Sequence, residues 1–478
     1  MSLRQKATSG LVWTFAQQFG NQLIGFIVSV ILARILLPAE FGLIGMIAVF
    51  IAIGNTLLNA GLTQSLIRSK EIDQEDYSTV FYFNIIASIL IYLTIYLLAP
   101  LISLFYDQPI ITNIVRVYSV TFIISAFGAV QLARLTKEMN FKTQTLIAIP
   151  ASLAGGFTGI IMAYLGFGVW SLVWSSIVTI VVSTVQLWIY SKWKPDWTFS
   201  ISKFKMHFYF GYKLTISGLL DKIFNNIFLI IIGKFFSPAQ VGFFTRAETM
   251  KQLPVTNISN TLNKVAYPLF ASIQDDDIQL KRVYKKLMKM VLFVVAPVLI
   301  LSAVLAEPIF RFLFTEKWLP AVPYFQILCA AGILYPLHAY NLNILNVKGR
   351  SDLFLKLEVI KKIIIVIAII FALPYGIIAL LYGQVFISII VYFINSHYSG
   401  KFIGYPAWQQ IRDVFPILTL AIVTGSLIFL FDHFLLIDLM DIIRILIGGL
   451  SGAIIYLSIS YLLKFESIFE LTNLFNRK

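Results

Sequence analysis

Amides and charges recur at helical intervals inside stretches that are otherwise apolar, and their types suit binding rather than bond-making. Gln17, Gln18, Asn21 and Gln22 fall in one stretch, with Gln18 and Gln22 sharing a helical face. Asn55 and Asn59 repeat that spacing in the next. Asp221, Lys222 and Asn225 interrupt a third, and Arg246, Glu248, Lys251, Asn260 and Lys264 a fourth. Carboxamides donate to and accept from hydroxyl-rich ligands, while lysine and arginine make charge-assisted bonds to anions. Asp221 and Glu248 are the carboxylates placed to bind H⁺ or Na⁺ as a coupling ion. A plain alternative is that the amides tie helices together, each bond contributing about 0.6 kcal/mol. Mid-span charges resist it, since each costs roughly 2.5–3.5 kcal/mol in hydrocarbon.

The stretches that hold these groups must be membrane-spanning helices. Of 478 residues, 59% are hydrophobic and only 13% charged, a balance unlike that of a water-soluble chain. Apolar runs near 20 residues recur from end to end, enough for 14 transmembrane helices. Six lie between residues 10 and 190, six between 208 and 395, and two near 414–431 and 441–463. This divides the chain into a six-helix lobe at 1–191, a basic cytoplasmic linker at 192–207, a second six-helix lobe at 208–395, and a last pair with its tail at 396–478. The N-terminal MSLRQKATSG lacks a signal-peptide core and cleavage site, so the first span is expected to be retained.

Cations set the orientation. Arg4, Lys6, Arg68, Lys70, Arg134, Lys137, Lys142, the runs Lys192 to Lys205, Lys281 to Lys289 and Lys348 to Lys362, then Lys401, Arg412, Lys464, Arg477 and Lys478 all fall on one side of the 14-span scheme. The opposite loops hold Arg34, Lys234, Arg311, Lys317 and Arg444. The positive-inside rule makes the first side, with both termini, cytoplasmic. The formal charge of +14 is thus dispersed between spans rather than gathered into a nucleic-acid-binding domain.

A repeat supports two lobes. LARILLPAEFGLIG from Leu32 matches IGKFFSPAQVGFFT from Ile232, so that Pro38, Gly42 and Arg34 correspond to Pro238, Gly242 and Lys234. Six spans per copy is an even number, which makes the repeats parallel, facing each other across a central cavity with the last two helices peripheral. Gly155 and Gly159 form a GxxxG that fits ordinary close packing. The run DDDIQLKRVYKKLMK from Asp275 is expected to be an interfacial connector helix against anionic lipid.

The chain lacks GxxxxGK[ST] and HExxH, and Cys329 alone gives no intramolecular disulfide. His207, His338, His397 and His433 stand apart from one another in the sequence, and only His433 adjoins a carboxylate, Asp432. No metal, cofactor or enzymatic activity is expected.

ARILLPAEFGLIGM, AGLTQSLI at Ala60–Ile67, the segment Glu75 to Pro100, LGFGVWSLV at Leu165–Val173 and FASIQDD at Phe270–Asp276 together resemble the Wzx-type lipopolysaccharide and colanic acid exporters of the MATE-like MOP superfamily. That resemblance spans the whole chain. It implies an all-α flippase in the bacterial inner membrane that moves undecaprenyl-pyrophosphate-linked oligosaccharide outward by alternating access, for surface polysaccharides such as O-antigen. It also implies a cavity lined by the first, second, seventh and eighth spans, a cationic site for the headgroup, and membrane lipids and polysaccharide polymerase or assembly proteins as partners. Carried over, the cationic candidates are Arg34, Lys222, Lys234, Arg246, Lys251 and Lys264. A cation-coupled multidrug or metabolite antiporter of the same superfamily stays open as the alternative.

Overall fold

The computed structural model describes residues 3–59, 61–69 and 71–470, excluding the side chains of 3–9, 11, 59, 214 and 257–265. All regular structure among the described residues is helical. The chain divides into two compact units, residues 1–242 and 243–478.

The first unit holds α1 (Leu3–Ile35), α2 (Pro38–Asn59), α3 (Leu62–Arg68), α4 (Gln74–Tyr106), α5 (Ile110–Tyr118), α6 (Val120–Lys137), α7 (Phe141–Tyr164), α8 (Trp170–Ser191), α9 (Ile201–Asn225) and α10 (Ile227–Phe235). Helix α11 (Pro238–Ser272) begins there and continues into the second unit. Proline opens both α2 and α11, where its fixed φ suits a first helical residue and its missing N–H costs nothing. Asp73 caps α4 reciprocally: its carboxylate accepts from Asp76 N at 2.9 Å and its own N–H donates to Asp76 Oδ2 at 3.0 Å.

The second unit continues with α12 (Asp277–Val304), α13 (Ala306–Phe314), α14 (Val322–Ile333), α15 (Tyr335–Val347), α16 (Ser351–Ala372), α17 (Ile377–Ile403), α18 (Ala407–Phe431) and α19 (Asp441–Leu462). The stretch expected to be a separate connector is instead the opening of α12, capped by Asp276. Its apolar face turns to protein, not lipid. Leu280, Tyr284 and Met288 are buried, and Tyr284 Oη donates to the buried Asn341 at 2.9 Å.

Among the described residues 11 helices are long and apolar enough to cross a membrane, or 12 if α9 and α10 make one bent span. Helices α11 and α16 coincide with two further expected spans but are not among the 11, and both carry several charges. The apolar exterior fits a lipid solvent: α4 leaves Leu93, Leu97 and Leu104 exposed at helical spacing. Gly155 is required for the contact of α7 with α8, since a methyl group there would lie 1.8 Å from Thr179 Oγ1. The GxxxG therefore serves packing within the chain.

Candidate functional site

The span expected at 208–232 is broken. Helix α9 ends at Asn225, α10 starts at Ile227, and their axes differ by 48°. A break inside hydrocarbon strands backbone carbonyls that need new donors. Asn226 supplies one, its Nδ2 donating to Lys222 O at 2.7 Å. Asp221, Lys222 and Asn225 occupy the last turn before the break, all with exposed side chains. A carboxylate, an ammonium and an amide thus gather where the helix is interrupted.

Helix α1 presents Gln18 outward, with Gln22 half-buried beside it one turn on. Asn21 is engaged differently: its Oδ1 accepts from Ser152 Oγ of α7 at 3.2 Å, a bond between helices. Asn55 is exposed on α2. Arg34 and Lys234 end α1 and α10 at corresponding positions and both are exposed, with Lys234 Nζ 5.1 Å from the Phe105 ring centre. The side chains of Asn59, Asn260 and Lys264 lie outside the described residues.

On α11 of the second unit, two candidates assigned different roles form one pair. Lys251 Nζ donates to both Glu248 oxygens at 2.6 and 2.7 Å, and Gln252 Nε2 donates to Glu248 Oε1 at 2.9 Å. Spacings of three and four residues place all three on one face. Lys251 is buried, its stem passing Gly332. Arg246 is buried too, its guanidinium 4.8 Å from the Phe314 ring centre and 5.0 Å from that of Trp318. Such stacking holds a cation by the ring quadrupoles.

Spatial proximity corrects the reading of His207 as remote from any carboxylate. Wholly buried, it lies with Nε2 3.1 Å from Asp76 Oδ1 and Nδ1 2.8 Å from Ser65 Oγ. Lys203, one turn earlier on α9, bonds Asp76 at 3.0 Å and also Asp73. The Lys203 bond and the capping N–H of Asp76 hold the Asp73 carboxyl well below its ordinary range. Nearby, Trp193 Nε1 donates to Gln74 Oε1 at 2.6 Å, and Ser78 Oγ accepts from Asp196 N at 2.9 Å. These contacts fasten the basic segment and α9 to the start of α4. Paired acids at Asp73 and Asp76 and the i, i+4 pair Lys203 and His207 were the signal that could have found them. No group of three or more metal-ligating side chains occurs among the described residues.

Membrane-length apolar helices with an interrupted, charged segment define a polytopic membrane transport protein. The chain belongs to the polysaccharide biosynthesis protein family, which matches residues 31–323. A relative of the Wzx type, the lipopolysaccharide biosynthesis protein WzxC of Escherichia coli K12, is 26% identical over 77% of this chain and 76% of its own. The fold is similar to that of the lipid II flippase MurJ in its inward closed conformation, with TM-score 0.75 and 16% identity over 95% of this chain and 99% of that one. It is also similar to an inward-facing multidrug resistance MATE family transporter of the MOP superfamily, with TM-score 0.62 and 16% identity over 80% and 95%.

Proposed function

We propose that this protein is a flippase that turns undecaprenyl-pyrophosphate-linked oligosaccharide from the cytoplasmic to the outer leaflet of the bacterial plasma membrane by alternating access. The observation that supports this most is the break at Asn226, which sets Asp221, Lys222 and Asn225 beside an interruption in an expected membrane span. Interrupted membrane helices are where transporters bind polar cargo, because unwound backbone is tolerated only where it faces protein or water. In this reading the chain has 14 spans in two parallel six-helix repeats plus a peripheral pair, with both termini cytoplasmic.

Lys222, Lys251, Lys264, Arg246, Arg34 and Lys234 supply cations for the pyrophosphate. Gln18, Gln22, Asn21, Asn55, Asn59, Asn225 and Asn260 supply amides for the glycan. Outward movement of an anionic headgroup is favoured by about 2.3 kcal/mol per charge per 100 mV of inside-negative potential, so the potential can drive the step. Asp221 and Glu248 are the sites proposed for H⁺ or Na⁺. Polysaccharide polymerase or assembly proteins would receive the product.

The test is a proteoliposome assay with a fluorescent polyprenyl-pyrophosphate disaccharide and an impermeant quencher. The reading requires flipping above that of empty vesicles, faster with an inside-negative potential, and reduced at least about tenfold, or ~1.4 kcal/mol, in a Lys222→Gln/Lys251→Gln variant. Absence of flipping together with proton-driven export of a cationic dye would replace it with the antiporter.

A further inference from the structure

Between α2, α4 and α10 of the first unit runs a groove of about 590 Å³. Its lining includes Phe50 and Leu57 of α2, Leu90, Leu98 and Phe105 of α4, and Ile230 of α10. Thr94 is the one hydroxyl among its described lining residues, and it bonds Leu90 O at 2.8 Å instead of facing the groove as a donor. The groove is therefore apolar along its length. From Leu90 to Phe105 it follows α4 for about 22 Å at the helical rise per residue.

One end carries a charge. Lys234 lies one turn beyond Ile230 on the same face of α10, and its Nζ sits 5.1 Å from the ring centre of Phe105, the last α4 residue that lines the groove. An apolar trough ending at an ammonium is complementary to a hydrocarbon chain bearing an anionic headgroup.

Length and width choose among such lipids. The hydrocarbon core is about 30 Å thick, so an acyl chain of a bulk phospholipid reaches only about half of that, short of the groove's length. About 590 Å³ spread over that length is a cross-section of about 27 Å², room for a single chain rather than two abreast. We propose that this groove holds the polyprenyl chain of the lipid-linked substrate, with its phosphate end at Lys234. The assignment rests on the flippase reading and adds to it a place for the lipid part of the cargo.

The experiment uses the full chain in nanodiscs with a diazirine-bearing long-chain polyprenyl phosphate, and maps the labelled peptides. Label is expected on α2, α4 and α10. It should fall about tenfold in Leu98→Trp, which fills the groove, and in Lys234→Gln, which removes only the surface charge. Leu97→Trp, on the adjacent exposed face, controls for bulk on α4 and should label as wild type. Label elsewhere, undiminished label in both groove variants, or equal displacement by phosphatidylglycerol would overturn the assignment. Wild-type flipping alongside any of these would leave the flippase standing without this groove; no wild-type flipping would remove the flippase reading itself.

Discussion

Gly42 and Gly242 correspond in the two matched sequence segments, and each lies against the opening turn of the other's helix. A methyl group on Gly42 would stand 1.7 Å from Pro238 O, and one on Gly242 2.0 Å from Pro38 O. The contact is reciprocal. Prolines open both helices and glycines follow one turn later, so two carbonyls meet two positions without side chains. Two short sequence matches thereby become one pseudo-symmetric contact within the first unit.

Because the obstructing atoms are backbone, Gly42→Ala and Gly242→Ala should each destabilise the protein by roughly 1–3 kcal/mol, as overpacking does. Thermal unfolding in detergent measures this. Gly25→Ala is the control, since a methyl group there meets nothing within 4 Å. Equal melting of all three variants would show that the contact contributes nothing.

The Lys251 and Glu248 pair sets up a competition. A pyrophosphate that binds Lys251 must displace the carboxylate now holding its Nζ at 2.6 Å. Glu248→Gln should then strengthen binding of inorganic pyrophosphate to the purified protein, and Lys251→Gln should weaken it, each by about tenfold. Isothermal titration would read both, and the same direction for both variants would exclude competition.

Arg444 and Asp432 form a buried fork, with Nε to Oδ1 at 2.9 Å and Nη2 to Oδ2 at 2.6 Å. Removing Asp432 leaves the Arg444 guanidinium with only Asp441, 3.8 Å from its Nη1, at a cost of up to about 3–5 kcal/mol. Asp432→Ala should lower the melting temperature markedly, whereas an Asp432→Ala/Arg444→Met double variant should recover much of the loss.

Asp73 gives a pH dependence of known sign. Its carboxyl is depressed by the bond from Lys203, so its contribution is complete above the ordinary value of 3.8 and is lost as pH falls below it. The destabilisation caused by Lys203→Met should be constant from about pH 8 to pH 5 and shrink in stronger acid. Growth of the effect toward neutral pH would point to a group other than Asp73.

Orientation is tested with single cysteines in a Cys329→Ala background. Cysteines at Glu71, Met139 and Arg282 should resist an impermeant thiol reagent in intact cells, following the placement of cations. Labelling at Arg282 would reverse the assignment for the second half of the chain.

Apolar runs of membrane length, and the polar residues within them, were legible in the sequence because a bilayer imposes a length and a polarity on every spanning helix. The matched segments at Pro38–Gly42 and Pro238–Gly242 were legible for a similar reason, since proline and glycine are needed where two helix starts touch. Tertiary structure alone decided the rest. Where α9 stops at Asn225, the Asn226 carboxamide reaches back to the Lys222 carbonyl, and a hydropathy pattern does not register such a bend. That Lys251 is held by Glu248 while Arg246 stacks on Phe314 and Trp318 depends on what surrounds α11. Likewise His207 and Asp76 lie 131 residues apart in the chain yet share a hydrogen bond. Periodicity within a helix is a local property of the chain, whereas partners brought together by packing are set by which helices become neighbours.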